Sequence, residues 1–411
     1  MLQTELTPIK HNERSTLFFI FSIWSFIILC RPQDYVSFLA YLRPVLTIGI
    51  VTLIMYFISV TNSINISGNK QFRLFLYFIT ALILSVPFSY YRSASLKDAI
   101  NYVSINVMFF FLFIHLVNNV TKLRTLLFLY CSGLAIYALF ILKSGSFAED
   151  RIFFGSMFDP NDSAFFIINF LTFNLLFMRK GNKYFQRIIS VLNMVICLIV
   201  IWKTGSRGGL VAVISIAAYL MFAKTITIRL SFITKVILVI AAIASLQLVN
   251  MSSKRYETLF DLKNDYNITG EEGRLAIWGI GVRMILARPI TGVGMNRYSE
   301  GVARDREARG MTSGVKWQTA HNSLVQIGAE TGVFGLFIYC LMTLNVFRIT
   351  SEIINKSKSQ ELIKICEMSR AGFIGHFISA MFLSQAYSIY WVFYIVLSAV
   401  LKSIFDKEMR A

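Results

Sequence analysis

Three short stretches of the sequence combine residue types that bind phosphate groups or transfer protons. They are Ser206-Arg207-Gly-Gly, the run from Arg274 to Trp278, and the pair His321-Asn322. A guanidinium group presents a planar fork of donors that matches phosphate oxygens. An imidazole can accept a proton from a hydroxyl near neutral pH. These stretches predict a site that binds phosphate and activates a hydroxyl.

Arg207 lies between two apolar segments that are joined by almost no loop. The two glycines after it would let a bulky head group approach the backbone, and the free N–H groups at a helix start attract anions. Ser206 precedes it and would support this site. The alternative is a tight hairpin with an interfacial arginine that keeps only its charge in water.

Arg274 follows Gly270-Glu-Glu-Gly273 and begins an apolar, helix-compatible run that Pro289 would end. It is a candidate second phosphate ligand, with Trp278 in support. The alternative is a surface ion pair with Glu271 or Glu272, which contributes about 0–1 kcal/mol. Arg283 and Arg288, further along the run, are reserve candidates for the phosphate site.

His321 is the candidate general base. It stands where a long polar stretch meets an apolar one, with Asn322 beside it. The alternative is a structural hydrogen bond at the start of a helix. His376 lies inside an apolar segment, where an interhelical hydrogen bond is expected. His115 lies near the inner end of its segment and His11 in the N-terminal tail.

Glu330 follows His321 by nine residues inside the same predicted helix. An ionisable group within an apolar segment is costly and usually paired or functional. We expect Glu330 to be a supporting residue that meets a cation rather than a catalyst. The nearby Gly332 suits close helix packing.

Two other clusters could suggest metal binding. Asp159-Pro-Asn161-Asp162 could hold a divalent cation, but capping of a helix by Asn161 or Asp162 is favoured. The five cysteines have no metal or disulfide spacing and are interpreted as small apolar residues in helices. No metal and no cofactor are expected.

The composition is that of a polytopic membrane protein. Of the 411 residues, 56% are hydrophobic and only 15% are charged. A crossing needs about 20 apolar residues, which predicts an all-α fold with about twelve spans. Their approximate cores are 16–37, 45–61, 72–90, 100–118, 123–142, 163–179, 187–203, 208–223, 229–249, 320–347, 369–387 and 389–405.

The positive charges predict the orientation of the chain. Lys and Arg are concentrated in alternate short loops, which places both termini in the cytoplasm. The net charge of +18 is thus assigned to membrane orientation and not to nucleic acid. The predicted organisation is nine spans in residues 1–249, a periplasmic loop with short helices in 250–319, and three spans and a cytoplasmic C-terminus in 320–411.

The motifs, taken in order, resemble the O-antigen ligase and polymerase superfamily of bacterial membrane glycosyltransferases. The resemblance rests on Ser206-Arg-Gly-Gly209, the Arg274 to Trp278 helix, Pro289-Ile-Thr-Gly-Val-Gly294 and His321-Asn322 with Glu330-Thr-Gly332. Arg31-Pro-Gln33 and Phe158-Asp-Pro-Asn-Asp162 are similar to a bacterial branch. The sharp motifs cluster in residues 203–335.

The resemblance implies an inverting, metal-independent glycosyl transfer in the bacterial inner membrane. The donor would be an undecaprenyl-pyrophosphate-linked glycan, bound by Arg207 and Arg274 at the periplasmic face. His321 would activate the acceptor hydroxyl. The acceptor is lipid A-core in the ligases of lipopolysaccharide biosynthesis, another lipid-linked repeat in the polymerases, and a protein hydroxyl in a third group.

A polysaccharide transporter or lipid flippase is the alternative from another class. Transporters usually keep their ionisable residues near the bilayer midplane, at broken helices of two related halves. Here no halves repeat, and the charges gather at the outer boundary. This distribution favours chemistry at the membrane surface.

Overall fold

The computed structural model describes residues 11–59, 68–148, 151–154, 159–222, 273–311 and 317–410. These residues form the helices α1 (His11–Cys30), α2 (Ser37–Tyr41), α3 (Pro44–Ser59), α4 (Lys70–Ser85), α5 (Arg92–Leu116), α6 (Val120–Ser144), α7 (Pro160–Leu171), α8 (Asn174–Phe177), α9 (Tyr184–Lys203), α10 (Arg207–Phe222), α11 (Arg274–Ala287), α12 (Tyr298–Ala308), α13 (Ser323–Lys356), α14 (Gln360–Ala380) and α15 (Ile389–Arg410). A short antiparallel hairpin pairs β1 (Ser146–Ala148) with β2 (Arg151–Phe153).

The helices confirm an all-α membrane protein. Within the described ranges, six segments are long and apolar enough to cross a bilayer, and three shorter helices are also apolar. Every predicted span overlaps a helix except 229–249, which lies outside the described residues, as does most of the predicted loop before Gly273. The count of about twelve crossings and the division at residues 249 and 319 therefore stay predictions.

Helix α15 lies at the centre of the core. It is enclosed by other helices along most of its length. Trp391 stacks on Tyr339 of α13 with 4.1 Å between ring centroids, and Phe78 of α4 meets the same indole edge-on. Buried aromatic pairs add packing energy beyond the area they bury. These contacts fix α15 against α4 and α13.

The short connections form two groups, one at each end of the bundle. At one end, Arg297 bonds Asp98 at 2.5 Å. At the other, Arg124 bonds Glu361, and Lys402 bonds Glu352 at 3.0 Å. Each of these pairs joins segments that the positive charges assign to one side, and the orientation of the bundle in the membrane stays a prediction.

Two predicted spans end earlier than expected. Helix α1 stops at Cys30 rather than residue 37, because Arg31 takes a left-handed conformation (φ 50°) just before Pro32. Helix α14 stops at Ala380 rather than residue 387. Residues 381–388 form a polar loop instead, whose backbone bonds α13 through Ser323.

Helix α13 is interrupted at Gly332 (φ 72°, ψ −175°), and the turn at residues 289–294 inserts at this break. Val293 N donates to Ala329 O at 2.9 Å, and Gly294 N donates to Glu330 O at 3.0 Å. An unwound segment inside a membrane helix is stable only when other groups satisfy its backbone. The motif around residues 289–294 provides those partners.

Glu330 lies at this break and caps helix α12. Its carboxylate accepts hydrogen bonds from the backbone N–H groups of Asn296 at 2.8 Å and Tyr298 at 3.0 Å. Sequence reasoning expected a cation as its partner, but the structure shows the positive end of a helix dipole in that role. Glu330 therefore stabilises the start of α12, and its supporting role in the chemistry stays a prediction.

Gly292→Ala is expected to destabilise the protein strongly. Its φ is 65°, and an added Cβ would lie 2.3 to 2.5 Å from backbone atoms of Glu330 and Thr331. Overlap with backbone cannot relax by rotamer change, so a loss of about 3 kcal/mol or more is expected. Thermal unfolding of the detergent-purified protein measures it.

Gly310→Ala is the matched control, because Gly310 also has a positive φ (83°) but open space around its Cα. Only the backbone penalty of about 1 kcal/mol should appear there. Equal melting temperatures for the two variants would contradict the insertion of the 289–294 turn.

Candidate active site

Arg207 begins α10 directly after a tight turn. Gly205 adopts φ 57° and Ser206 caps the helix by accepting from Gly209 N at 3.1 Å. Ser206 N in turn donates to the Thr204 hydroxyl at 3.3 Å. These bonds fix the start of α10, so the position predicted for Arg207 is observed, and Ser206 supports it as a cap.

The glycines after Arg207 serve helix packing. A Cβ on Gly208 would meet the Phe382 side chain at 3.0 Å, and one on Gly209 would meet Ala164 at 2.9 Å. Sequence reasoning assigned this space to a ligand head group. Phe382 and Ala164 occupy part of this space, while Gly208 still lines the pocket described below, so the approach of a head group stays a prediction.

Helix α11 brings Arg274 and Trp278 onto one face, because residues four apart lie one turn above each other. The Arg274 guanidinium lies over the Phe382 ring, 5.7 Å from its centroid. Trp278 Nε1 donates to the carbonyl of Ala320 at 3.0 Å. One face of α11 thus positions the Arg274 guanidinium. The same face holds the backbone of Ala320, the residue before His321.

Arg207 and Arg274 line one small polar pocket. Its remaining walls come from α7, the α9–α10 turn and the end of α14: Asn161, Gly205, Ser206, Gly208, Ser379, Phe382 and Leu383. The accessible volume is about 20 Å³, so a large ligand would lie across its mouth. Two arginines that are 67 positions apart in the sequence meet here.

His321 is held next to this pocket by backbone contacts. Its N–H donates to Ser384 Oγ at 2.9 Å, in the loop that follows Phe382 and Leu383 of the pocket. Sequence reasoning placed His321 inside the helix, but it has φ 46° and lies before it. Asn322 caps α13 by accepting from Leu324 N and Val325 N, so the helix begins only at Ser323.

The surroundings of His321 lower the pKa of its imidazole below the ordinary value of 6.5. Partial burial is the main cause, since it disfavours the charged form. The positive charge of Arg274 acts in the same direction, and Asp159 acts against both. The imidazole therefore stays neutral, the form that can accept a proton, at lower pH than a free histidine.

Arg151 is a third cation at the site, and sequence reasoning did not identify it. Its Nε donates to Thr204 O at 2.8 Å and its Nη2 to Asn161 Oδ1 at 2.9 Å. It ties the turn before Arg207 to the start of α7. A lone arginine in a short hairpin carries no sequence signal for this contact.

The loop 381–388 is a second feature that sequence reasoning missed. Gln385 Nε2 donates to Asp162 Oδ1 at 2.8 Å, and Ser384 holds the His321 backbone. Asp159, rather than Asn161 or Asp162, caps α7 by accepting two N–H bonds. Adjacent polar residues in an otherwise apolar segment were the available signal for the loop.

Arg283 and Arg288 point away from this pocket. Nine residues along a helix correspond to about half a rotation and 13 Å of rise, which separates Arg283 from Arg274. Arg283 pairs with Asp305 at 2.8 Å and lowers the pKa of that carboxyl. Arg288 donates to Phe88 O at 2.5 Å. Neither reserve candidate lines the pocket.

Within the described ranges, no cluster of three or more His, Cys, Asp or Glu side chains could hold a metal ion. His376 makes the interhelical bond expected from the sequence, with 2.7 Å between Nδ1 and Asn169 Oδ1. Metal-independent chemistry stays a prediction for which activity in the presence of a chelator is the test.

Trp278→Phe is expected to lower the turnover number about tenfold while leaving the Michaelis constant of the donor nearly unchanged. The ring is kept but the bond to Ala320 is lost, and small misplacements of a reacting group are costly. Steady-state kinetics measure the two constants. Trp317→Phe, at an exposed indole, is the control; equal losses in both variants would contradict a positioning role for Trp278.

Residues 192–340 match the family model described as O-Antigen ligase. The match includes Arg207, Arg274, His321 and Glu330, and it confirms the resemblance to the O-antigen ligase and polymerase superfamily. Among curated proteins, none matches the chain. The match supports a function of O-antigen ligase or polymerase type in polysaccharide biosynthesis.

Proposed function

We propose, on the basis of the O-antigen ligase match at residues 192–340, that this protein transfers a glycan from undecaprenyl pyrophosphate to an acceptor hydroxyl. Arg207 and Arg274 bind the diphosphate across the mouth of the pocket. His321 removes the proton from the acceptor hydroxyl, whose oxygen attacks the anomeric carbon. The diphosphate leaves as the glycosidic bond forms, with inversion.

One observation carries this proposal. Two arginines from different helices line the same pocket, and His321 is bonded to the loop that contributes Phe382 and Leu383 to that pocket. Positive groups placed in advance where negative charge develops usually contribute most to the rate enhancement of such enzymes. A neutral imidazole beside them provides the base without a metal.

An open apolar groove near the site supports a polyprenyl donor. Its volume is about 1090 Å³, and it lies between α3 and α5, with Ile50, Phe57 and Phe111 among its apolar walls. Asp34 and Arg43 line it where α3 begins. Phe154 also lines this groove, one residue beyond strand β2. Strand β2 begins at Arg151, which bonds Thr204 in the turn before Arg207. The β1–β2 hairpin therefore connects the groove to the pocket.

The acid limb of the pH–rate profile is expected below 6.5, because His321 must be neutral to act and its pKa is lowered. Asp159→Asn removes the negative charge that raises this pKa, so the limb should move to lower pH by a few tenths of a unit. Asparagine can still cap α7. Arg274→Gln should move the limb upward in the residual activity. Shifts in the opposite directions would contradict His321 as the base.

Reconstituted protein with labelled donor and a hydroxyl acceptor tests the transfer itself. We expect product with the inverted anomer, and undiminished rates with a chelator present. The glycans that accumulate in cells lacking the gene then distinguish a ligase from a polymerase. Long lipid-linked chains accumulate if the protein is a ligase, and single repeats accumulate if it is a polymerase. Transport of an intact lipid-linked glycan without new glycosidic bonds would establish the flippase alternative.

A further inference from the structure

The Tyr90 ring contacts two arginines, one at the far end of α11 and one in α12. The guanidinium carbon of Arg288 is 4.5 Å from the centroid of the Tyr90 ring, and that of Arg304 is 4.3 Å away. Arg304 is also 5.7 Å from the Tyr91 ring. We refer to Tyr90, Arg288 and Arg304 as the Tyr90 cluster.

Two carboxylates near the Tyr90 cluster are bonded to other arginines. Asp305 pairs with Arg283 at 2.8 Å and with Arg309 at 3.1 Å. Asp98 pairs with Arg297 at 2.5 Å. In the part of the chain that the structure describes, no carboxylate pairs with Arg288 or Arg304. The cluster therefore keeps two positive charges close together around one ring.

The upper limit on the distance between these charges allows one phosphate group to contact both. Both guanidinium carbons lie within 4.5 Å of the same centroid, so they are at most about 9 Å apart. Charge-assisted bonds of about 2.8 Å from each side would let a single phosphate bridge them. An aromatic ring that holds both side chains reduces the entropy lost on binding.

The cluster lies at the membrane boundary. Two candidate spans, Lys70–Phe88 and Arg92–Leu116, end and begin on either side of Tyr90. Phe88 and Ile290 beside it expose 55% and 78% of their surface. Aromatic side chains at this level are typical of the lipid headgroup region, where the phosphate groups of lipids are found.

We infer that the Tyr90 cluster binds the phosphate of a lipid headgroup. Arg288 and Arg304 bond the phosphate oxygens, and Tyr90 holds both side chains in place. Fourteen residues of α11 separate Arg288 from Arg274, which is about 21 Å along the helix. The cluster is thus separate from the pocket of Arg207 and Arg274, and it does not depend on the proposed glycan transfer.

Binding of dioctanoyl phosphatidate to the full chain in neutral detergent tests this inference. Dioctanoylglycerol, which lacks the phosphate, and inorganic phosphate, which lacks the lipid, are the comparison ligands. Saturable binding of phosphatidate is expected, at least about tenfold tighter than either. Arg304→Gln should weaken it about tenfold, as expected for the loss of one charge-assisted bond.

Two further variants separate this site from general charge effects. Arg309→Gln removes the same charge from the same region but not from the Tyr90 ring, so it should leave binding unchanged. Tyr90→Phe keeps the ring and should bind normally, whereas Tyr90→Leu should lose about tenfold. Equal losses in the Arg304 and Arg309 variants would overturn the inference. Equal affinity for inorganic phosphate, lost in the same variants, would overturn the assignment to a lipid.

Discussion

Replacement of His321 by alanine is expected to lower the turnover number of glycan transfer about a thousandfold, within the range that a general base contributes. The backbone N–H of residue 321 bonds Ser384 whatever the side chain, so the pocket should keep its shape. Binding of the lipid-linked donor should therefore change little. Single-turnover kinetics and direct donor binding measure the two effects separately.

A matched histidine and a chemical rescue sharpen this test. His115→Ala removes an imidazole that bonds Phe111 O at the opposite end of the bundle, and it should retain transfer. Added imidazole should partly restore turnover in the His321→Ala variant, because the missing group is a proton acceptor. Undiminished turnover in His321→Ala would refute the assignment of this residue as the base.

Loss of either pocket arginine is expected to reduce both donor binding and turnover. Arg207→Gln and Arg274→Gln should each lower kcat/KM by about a hundredfold or more, because a charge on the leaving diphosphate is no longer balanced. Arg207→Lys keeps the charge without the planar fork, so its kcat/KM should lie between those of the unchanged protein and Arg207→Gln. Because both groups contact one ligand, the double variant should lose less than the product of the two single losses.

Arg283→Gln is the control for this pair. Arg283 lies on the same helix as Arg274, but it pairs with Asp305 and faces away from the pocket. Its loss should change kcat/KM by no more than about threefold, because Arg283 does not line the pocket. A hundredfold loss in the Arg283 variant would show that the diphosphate lies on the other face of α11.

Most of the fold could be predicted from the sequence, because a long apolar segment that crosses a membrane has few alternatives to the α-helix. The helix of residues 274–287 was predicted from its apolar run and from Pro289, and it is observed as α11. The break at Gly332 was not predicted. It depends on backbone bonds to residues 289–294, and a glycine that suits helix packing looks the same in sequence as one that permits a break.

The candidate site was predicted only where a local sequence pattern indicates the structure. Arg207 and Ser206 occupy the expected helix start, since a turn of glycines and a capping serine are local signals. Arg151 and the loop 381–388 act through contacts between distant segments, which no local pattern encodes. The spacing that separates Arg283 from Arg274 was visible in the sequence, because nine residues place two side chains on opposite faces of a helix.

The central claim is that Arg207, Arg274 and His321 act on one donor molecule at one pocket. A cryo-EM structure of the full chain in a lipid nanodisc with a non-transferable undecaprenyl diphosphate sugar tests it most directly. We expect the diphosphate within hydrogen-bond distance of both guanidinium groups, with the His321 imidazole on the side of the anomeric carbon opposite the leaving group. A diphosphate bound away from either arginine, or an anomeric carbon beyond the reach of an acceptor held by His321, would contradict the account.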